Sequence, residues 1–328
     1  MWREAETWPY WTPEEAAASS GALTHIRPGI VPGYSARGQT SMSFPDFWEK
    51  SHDGAGGRDL NGKVVVITGA GNGIGAALAR RYASSGARLA LLDIDEAAAF
   101  ATAKACKGDG AQAQSWVCDV TDLARCDAVI AEVVERFGAI DCLIANAGIT
   151  HLSPFEETEV SVIRRVMEIN FFGAVNMAKV CLPHLLATRG QIVIMSSVAG
   201  FCPLPMRTGY SASKYAVRGF FETLRAENRH KGLRVLVVCP SFVDTGIGTR
   251  ALGGSGAAAP RGRPEAKGAA PTAEVADAIF RAAARGRDFL AVAPGARLSY
   301  FLSRLAPSLL ERLSIRRVFS QEKVSEDR

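Results

Sequence analysis

One short passage restricts the fold more than any other. Val64-Val65-Val66-Ile67 is a continuous apolar run, the pattern of a strand buried on both faces. It leads through Thr68 into Gly69-Ala70-Gly71-Asn72-Gly73-Ile74-Gly75, and residues 74–86 then follow a helical period. A strand turning through glycines into a helix leaves free N–H groups and a positive dipole end at the turn. The glycines also let a pyrophosphate approach the backbone closely. A glycine pattern alone is a weak signal, but the strand–turn–helix setting makes this one specific. Thr68, Gly69, Gly71, Asn72, Gly73, Ile74 and Gly75 are therefore candidate dinucleotide contacts.

The alternation continues along the chain. Arg88–Asp93 reads as a second strand, and apolar runs at Cys142–Ala145, Gln191–Met195 and Val235–Cys239 are separated by helix-like segments. Strands joined by helical crossovers specify a parallel sheet covered on both faces. The expected class is α/β, with a single doubly wound, Rossmann-type sheet. Asp93 closes the second strand, where a carboxylate can accept hydrogen bonds from adenosine ribose hydroxyls and repels a 2′-phosphate. No Arg or Lys stands beside it in Asp93-Ile94-Asp95, so NAD is expected rather than NADP.

Three regions follow from texture. Residues 1–57 carry Trp2, Trp8, Trp11 and Trp48, several prolines and no sustained period, and read as a poorly ordered extension. Residues 58–296 form the Rossmann-type domain. Within it, a Gly-, Ala- and Pro-rich stretch at 246–271 follows a strand end and reads as a flexible lid over the ligand side. Residues 297–328 set Leu298, Phe301, Leu302, Leu305, Leu309, Leu313 and Val318 among Arg304, Arg312, Arg316 and Arg317, broken at Pro307. That amphipathic segment is expected to pack on its own domain, with peripheral contact to a membrane surface as the alternative.

Composition narrows the function classes. The net charge is +5 with scattered basic residues, which gives no reason for a nucleic-acid partner. The seven cysteines are dispersed, without C-x-x-C or Cys/His ligand spacing, so buried thiols are expected and no metal site or disulfide framework. No apolar run reaches the ~18 residues of a membrane-spanning helix. The first residues develop no signal-peptide core, and a cytoplasmic protein without a transmembrane segment is expected.

Tyr210-Ser211-Ala212-Ser213-Lys214 places a tyrosine and a lysine four apart, on one face of a helix. A free tyrosine, with a pKa near ~10, is a poor proton shuttle at neutral pH. A nearby ammonium stabilises the phenolate and brings the group toward the working range.

Taken together, residues from about 61 to 250 resemble the short-chain dehydrogenase/reductase family. The motifs are TGAGNGIG at 68–75, Asp119 after Cys118, Asn146-Ala147-Gly148, Asn170, Ser196-Ser197 and Tyr210-x-x-x-Lys214. The resemblance implies an NAD-dependent oxidoreductase moving a hydride between a dinucleotide and an alcohol or ketone carbon. It implies Tyr210 as general acid or base and Lys214 as ribose ligand and Tyr210 activator. Ser197, rather than Ser196, would hydrogen-bond the reacting oxygen, and Asn170 would hold a water linked to Lys214. Asp119, Val120, Asn146, Ala147 and Gly148 would line the adenine and ribose side, and Pro240 and Thr245 the nicotinamide side. Pro240-Ser241 departs from the family's usual Pro-Gly, which can shift that turn but removes no catalytic group.

The C-terminal part is similar to the hydroxysteroid and retinol dehydrogenase-like branch. With Phe201, Leu204, Pro205 and Met206 preceding Tyr210, this implies an apolar, steroid-, retinoid- or lipid-like substrate. Relatives commonly pair through the helices carrying Asn170 and Tyr210, so a homodimer or homotetramer is expected. Two rival readings share the fold. An epimerase or dehydratase is disfavoured by the Gly69-x-x-x-Gly73-x-Gly75 spacing. A silent dinucleotide sensor is disfavoured because it has no need of Ser197, Tyr210 and Lys214.

Overall fold

A computed structural model describes residues 59–259 and 269–326. The extension at 1–57 and the middle of the expected lid, 260–268, lie outside the described residues.

Seven parallel strands form one sheet in the order β3-β2-β1-β4-β5-β6-β7. They are β1 Val64–Thr68, β2 Arg88–Asp93, β3 Ala113–Val117, β4 Cys142–Ala145, β5 Gln191–Met195, β6 Arg234–Pro240 and β7 Phe289–Val292. The order reverses between β1 and β4, and in such sheets the crevice at the reversal, beyond the carboxyl ends, takes the ligand. All five residues of β1 are buried. Val64 and Val66 point into one core and Val65 and Ile67 into the other, because successive side chains alternate across a sheet. That two-sided burial is why the strand is uniformly apolar, at roughly 1.5–3 kcal/mol for each large side chain removed from water.

One face is covered by α1 Gly73–Ala83, α2 Glu96–Gly108 and α7 Thr272–Ala284. The other is covered by α3 Leu123–Phe137, α5 Gly173–Ala187 and α6 Thr208–Asn228. Helix starts are written into the sequence unevenly. Asp95 accepts from Ala98 N at 3.0 Å to open α2, and Asp122 accepts from Arg125 N at 3.0 Å to open α3. By contrast α1 opens on Asn72, whose extended backbone carries no side-chain cap bond, and no acidic residue lies in its first turn.

Ahead of α5 lies α4 Val160–Met167, joined to it by a π-helical turn at Glu168–Phe172. The continuous helical stretch 160–187 has 28 residues and a mean hydropathy of 1.2 in its most apolar window, enough by length and composition to cross a membrane. By length and composition alone the cytoplasmic expectation therefore loses its ground, while the same stretch buries Met177, Ala178, Cys181 and Leu185 in the core beneath the sheet. Reading only uninterrupted apolar runs missed this stretch, because its few polar residues are spread along it.

The C-terminal segment forms α8 Pro294–Leu305 and α9 Pro307–Glu326, and Pro307 starts the second helix, where its missing N–H costs nothing. Tyr300 stacks on Phe289 at 4.6 Å and on Phe201 at 5.3 Å between ring centroids, and Leu310 is buried. The described part of the expected lid is bonded down. Leu252 N donates to Thr150 O at 2.9 Å, Leu152 N to Leu252 O at 2.8 Å, and Glu159 N to Gly254 O at 2.9 Å. A Cβ at Gly254 would collide with the Glu157 carbonyl, so glycine here permits close docking rather than looseness.

Candidate active site

A cavity of about 980 Å³ opens along the carboxyl ends of the strands. At one end, Gly69, Asn72, Gly73 and Ile74 form its floor. Asp93, Ile94, Asp95, Asp119 and Val120 form a wall. Gly69 has φ +62°, and a Cβ there would stand 2.9 Å from Ala147 Cα. A Cβ at Gly75 would strike the Gly69 carbonyl. These glycines are required by a chain that folds back on itself, beside the N–H groups that α1 leaves uncapped. Thr68, Gly71 and Gly75 act behind this surface rather than on it. Thr68 Oγ1 accepts from Asn146 N at 3.0 Å and Ala147 N at 3.1 Å, tying β1 to the turn after β4. Gly71 N donates to Asp93 Oδ2 at 2.8 Å.

That arrangement fits a dinucleotide. Uncapped N–H groups at a helix start suit a pyrophosphate. The neighbouring lining carries Asp93, Asp95 and Asp119, and none of the described ion pairs joins these carboxylates to a cation. Asp93 Oδ1 also accepts from Asp95 N at 3.0 Å, so the protein holds the carboxylate in place. Each carboxylate oxygen has a further lone pair free for a ribose hydroxyl. Asp119 is held by Thr121 N at 2.9 Å and Thr121 Oγ1 at 2.8 Å.

Ser197, Tyr210 and Lys214 line the same cavity, with Gly148 and Pro240 beside them, while Thr245 reaches back to the glycine turn, where a Cβ on Gly73 would lie 3.1 Å from its Cβ. Ser197 ends the chain segment after β5, and its Oγ accepts from Ala199 N at 3.1 Å. Ser196 has a different task, donating from Oγ to Lys214 O at 3.0 Å and pinning α6 to β5. Lys214 is buried and donates from Nζ to Met195 O at 2.8 Å, with Nζ 5.7 Å from the Tyr210 ring centroid. Burial pushes its pKa down to about 8.

Tyr210 differs from the sequence expectation. Burial raises its pKa, against the pull of a hydrogen bond from Ser197 and the positive charge of Arg207. Lys214 does not offset that burial here: with a pKa of about 8 it has lost its proton before Tyr210 titrates, and its Nζ donates to the Met195 carbonyl.

Asn170 sits in the π-helical turn behind the cavity wall. Its Oδ1 accepts from Ile149 N at 2.8 Å, and its Nδ2 donates to Ile149 O at 3.0 Å and Ser213 Oγ at 2.9 Å. A π turn widens the helix by one residue and recurs at functional sites. Here it turns the amide toward the loop after β4. A Cβ at Gly148 would lie 3.0 Å from Asn170 Oδ1 and 3.6 Å from Lys214 Nζ, so this glycine keeps the two polar groups close.

The substrate-facing expectations separate. Leu204 lines the cavity, but Phe201 is 4% exposed and packs on Tyr300, and Met206 lies off the cavity wall in a left-handed turn (φ +63°). The apolar lining instead includes Ile149, Ile169, Val198, Phe242 and Ile247. Sequence reasoning also missed Arg207 and His151. Arg207 is buried on the cavity wall, donates from Nη1 to Thr150 Oγ1 at 2.9 Å, and lies 5.9 Å from the Tyr210 ring centroid. His151 is fully buried and accepts from Gly209 N at 2.9 Å. The i, i+3, i+7 spacing of Arg207, Tyr210 and Lys214 was a usable signal for the first, whereas nothing local marked His151.

The family profile for short chain dehydrogenase matches residues 63–252. Mouse dehydrogenase/reductase SDR family member 7B is 33% identical over 273 residues, covering 80% of this chain and 84% of the relative. Arabidopsis thaliana 11-beta-hydroxysteroid dehydrogenase-like 4A is 34% identical, covering 76% and 83%. Among solved structures, a Burkholderia phymatum short chain dehydrogenase/reductase in complex with NAD superposes with a TM-score of 0.67 at 30% identity, over 76% of this chain and 96% of that one. An alcohol dehydrogenase from Thermococcus sibiricus complexed with 5-hydroxy-NADP gives 0.62 at 28% identity, over 70% and 95%. Kinship to the mouse and plant proteins, with the long apolar helix at 160–187, withdraws the cytoplasmic assignment. The profile match, the identities and the parallel sheet agree: the chain belongs to the short-chain dehydrogenase/reductase family, oxidoreductases that work with a nicotinamide dinucleotide.

Proposed function

We propose that the protein is an NAD-dependent oxidoreductase interconverting a secondary alcohol and a ketone on a largely apolar substrate, with Tyr210 as general acid and base. The observation that carries this reading is the convergence of Ser197, Tyr210 and Lys214 on the cavity that the uncapped glycine turn also lines. The dinucleotide, when bound, supplies the hydride acceptor or donor. Tyr210 gives its proton to the substrate oxygen in reduction and takes it in oxidation, and Ser197 Oγ donates a hydrogen bond to the same oxygen. Lys214 and Thr245 hold the nicotinamide end, with Asn170 fixing the loop at Ile149 behind them. Preference for NAD rests on Asp93, Asp95 and Asp119 and on the lack, among the described residues, of an ion pair joining them to a cation.

The test follows absorbance of the reduced nicotinamide while secondary alcohols are screened with NAD and NADP. Turnover with NAD that Tyr210→Phe reduces by about 10²–10⁴-fold, the range for general acid–base catalysis, is expected. Binding without turnover across the whole panel would remove the catalytic reading.

Two assembly features belong to the same proposal. Exposed Phe172, Tyr215 and Phe220 on the helices carrying Asn170 and Tyr210 support pairing of two chains there, which size measurement in solution checks. Exposed Leu298, Leu305, Leu309 and Leu313 beside Arg304 and Arg312 suit a membrane surface, which vesicle co-sedimentation with a truncation at residue 297 checks.

A further inference from the structure

The wall beside Tyr210 holds a charge that the proposed proton transfer does not use. Arg207 is 7% exposed, and among the described residues no carboxylate forms an ion pair with it. Of its five N–H donors, the structure commits only one at Nη1, to the Thr150 hydroxyl. A buried cation without a counter-charge is expensive, and proteins retain one where something else neutralises it. The titratable neighbours do not: Tyr210 keeps its proton because burial raises its pKa, and His151 is held neutral. His151 accepts from Gly209 N through Nε2, so its other ring nitrogen carries the proton and faces Ser153 Oγ at 3.4 Å. Burial and the Arg207 charge both hold that imidazole neutral. Glu168 is exposed, on the same cavity wall as Arg165, and Arg250 bonds the carbonyls of Thr245 and Gly246. Lys214, the other buried cation here, faces the Met195 carbonyl.

We propose that Arg207 is an anion subsite that selects substrates carrying a carboxylate a few atoms from the reacting carbon, the rest of the molecule lying along Ile149, Val198, Leu204 and Phe242. This rests on the oxidoreductase reading above and adds the substrate's charge to it. A planar guanidinium fork matches a carboxylate with two parallel hydrogen bonds. One guanidinium with no second cation bonded beside it balances one negative charge, which favours a carboxylate over a phosphate dianion. The position, three residues before Tyr210 and 5.9 Å from its ring, sets the anion close to the reacting oxygen.

The experiment compares straight-chain hydroxy acids, the hydroxyl at successive positions, with their methyl esters, using the full chain and both dinucleotides. Wild type is expected to favour the best acid over its ester by about tenfold to a hundredfold in kcat/KM, the worth of hydrogen bonds to a charged group. That acid-to-ester ratio should fall to near unity in Arg207→Gln and keep an intermediate value in Arg207→Lys. Esters matching acids in wild type would overturn the proposal. So would equal losses on acid and ester in Arg207→Gln, the result expected if Arg207 only tunes Tyr210 or supports the loop. A binding arm uses hexanoate and hexanamide titrated onto the complex with reduced dinucleotide, followed by dinucleotide fluorescence. Tighter hexanoate binding supports the subsite and equal binding overturns it, even with a variant that fails to fold. If no alcohol turns over while hexanoate still binds selectively, the oxidoreductase reading fails and the subsite stands.

Discussion

At the scale of single residues, burial decides the electrostatics of the site. Lys214 has a folded pKa of about 8 against an ordinary 10.5, because its ammonium is held out of water. Between those values the unfolded chain binds a proton that the folded chain lacks, so this group makes stability rise with pH across the window and weighs on it at neutral pH. Lys214→Met removes the burden, at a maximum on the order of 3 kcal/mol. Without dinucleotide, the melting temperature of Lys214→Met relative to wild type should be higher at pH 7 than near pH 10. A difference independent of pH would contradict the depressed value. Asn170 works oppositely, by satisfying polar groups. Asn170→Leu strands Ile149 N and Ile149 O, which costs about 2–4 kcal/mol when buried groups lose partners, while Ser213 Oγ keeps its bond to Tyr210 O. Denaturant unfolding measures that loss directly. Ser197, Tyr210 and Lys214 were legible in the chain because helical spacing and motif order carry them. Arg207 was marked only by its spacing to Tyr210 and Lys214, and His151 by nothing local, because their partners at Thr150 and Gly209 are far away in sequence.

At the scale of elements, strands β1, β2, β4, β5 and β6 could be read directly because burial on both faces makes their interiors apolar. The edge strands escaped. In β3, Gln114 and Ser115 are half-buried and Val117 exposed, which dissolves the apolar run, and four-residue β7 is half-buried at both ends. The π turn at Glu168–Phe172 also had no sequence signal, since one extra residue in a helical turn leaves composition unchanged. Helix starts show the same link between local chemistry and use. Asp95 and Asp122 cap α2 and α3, while Asn72 leaves the donors of α1 open. Asn72→Asp should therefore have opposite effects on fold and ligand. A carboxylate at that start stabilises the dinucleotide-free chain by about 0.5–1 kcal/mol through the cap and the helix dipole. The same carboxylate occupies and repels at the place proposed for pyrophosphate, so dinucleotide affinity should fall by roughly tenfold or more. Thermal melting and fluorescence titration on one variant separate the two effects. A variant that binds as well as wild type would argue against the helix start as the phosphate site.

At the scale of the whole molecule, the cavity draws on the ends of β1 to β6, so a bound dinucleotide touches segments on both sides of the strand-order reversal. Ligand binding to such a seam stabilises the folded chain by mass action, about 2.7 kcal/mol at a hundred times the dissociation constant. For a chain of this size that is a rise of about 5–10 °C in melting temperature. On the proposed reading Asp93, Asp95 and Asp119 face the adenosine ribose and would repel a 2′-phosphate, so NADP at the same concentration should give a visibly smaller rise than NAD. Asp93 also accepts from Gly71 N, so a substitution there acts on the glycine turn as well as on the ribose. Asp93→Asn keeps an acceptor for that N–H while removing the charge. It should narrow the gap between the two dinucleotides mainly by easing the repulsion of NADP, while weakening NAD less than Asp93→Ala does. If both dinucleotides raise wild-type melting equally, the carboxylate wall does not discriminate, although the proposed seam and helix-start site for the pyrophosphate stand. If only NADP raises it, the cation that binds the extra phosphate must come from beyond the described wall.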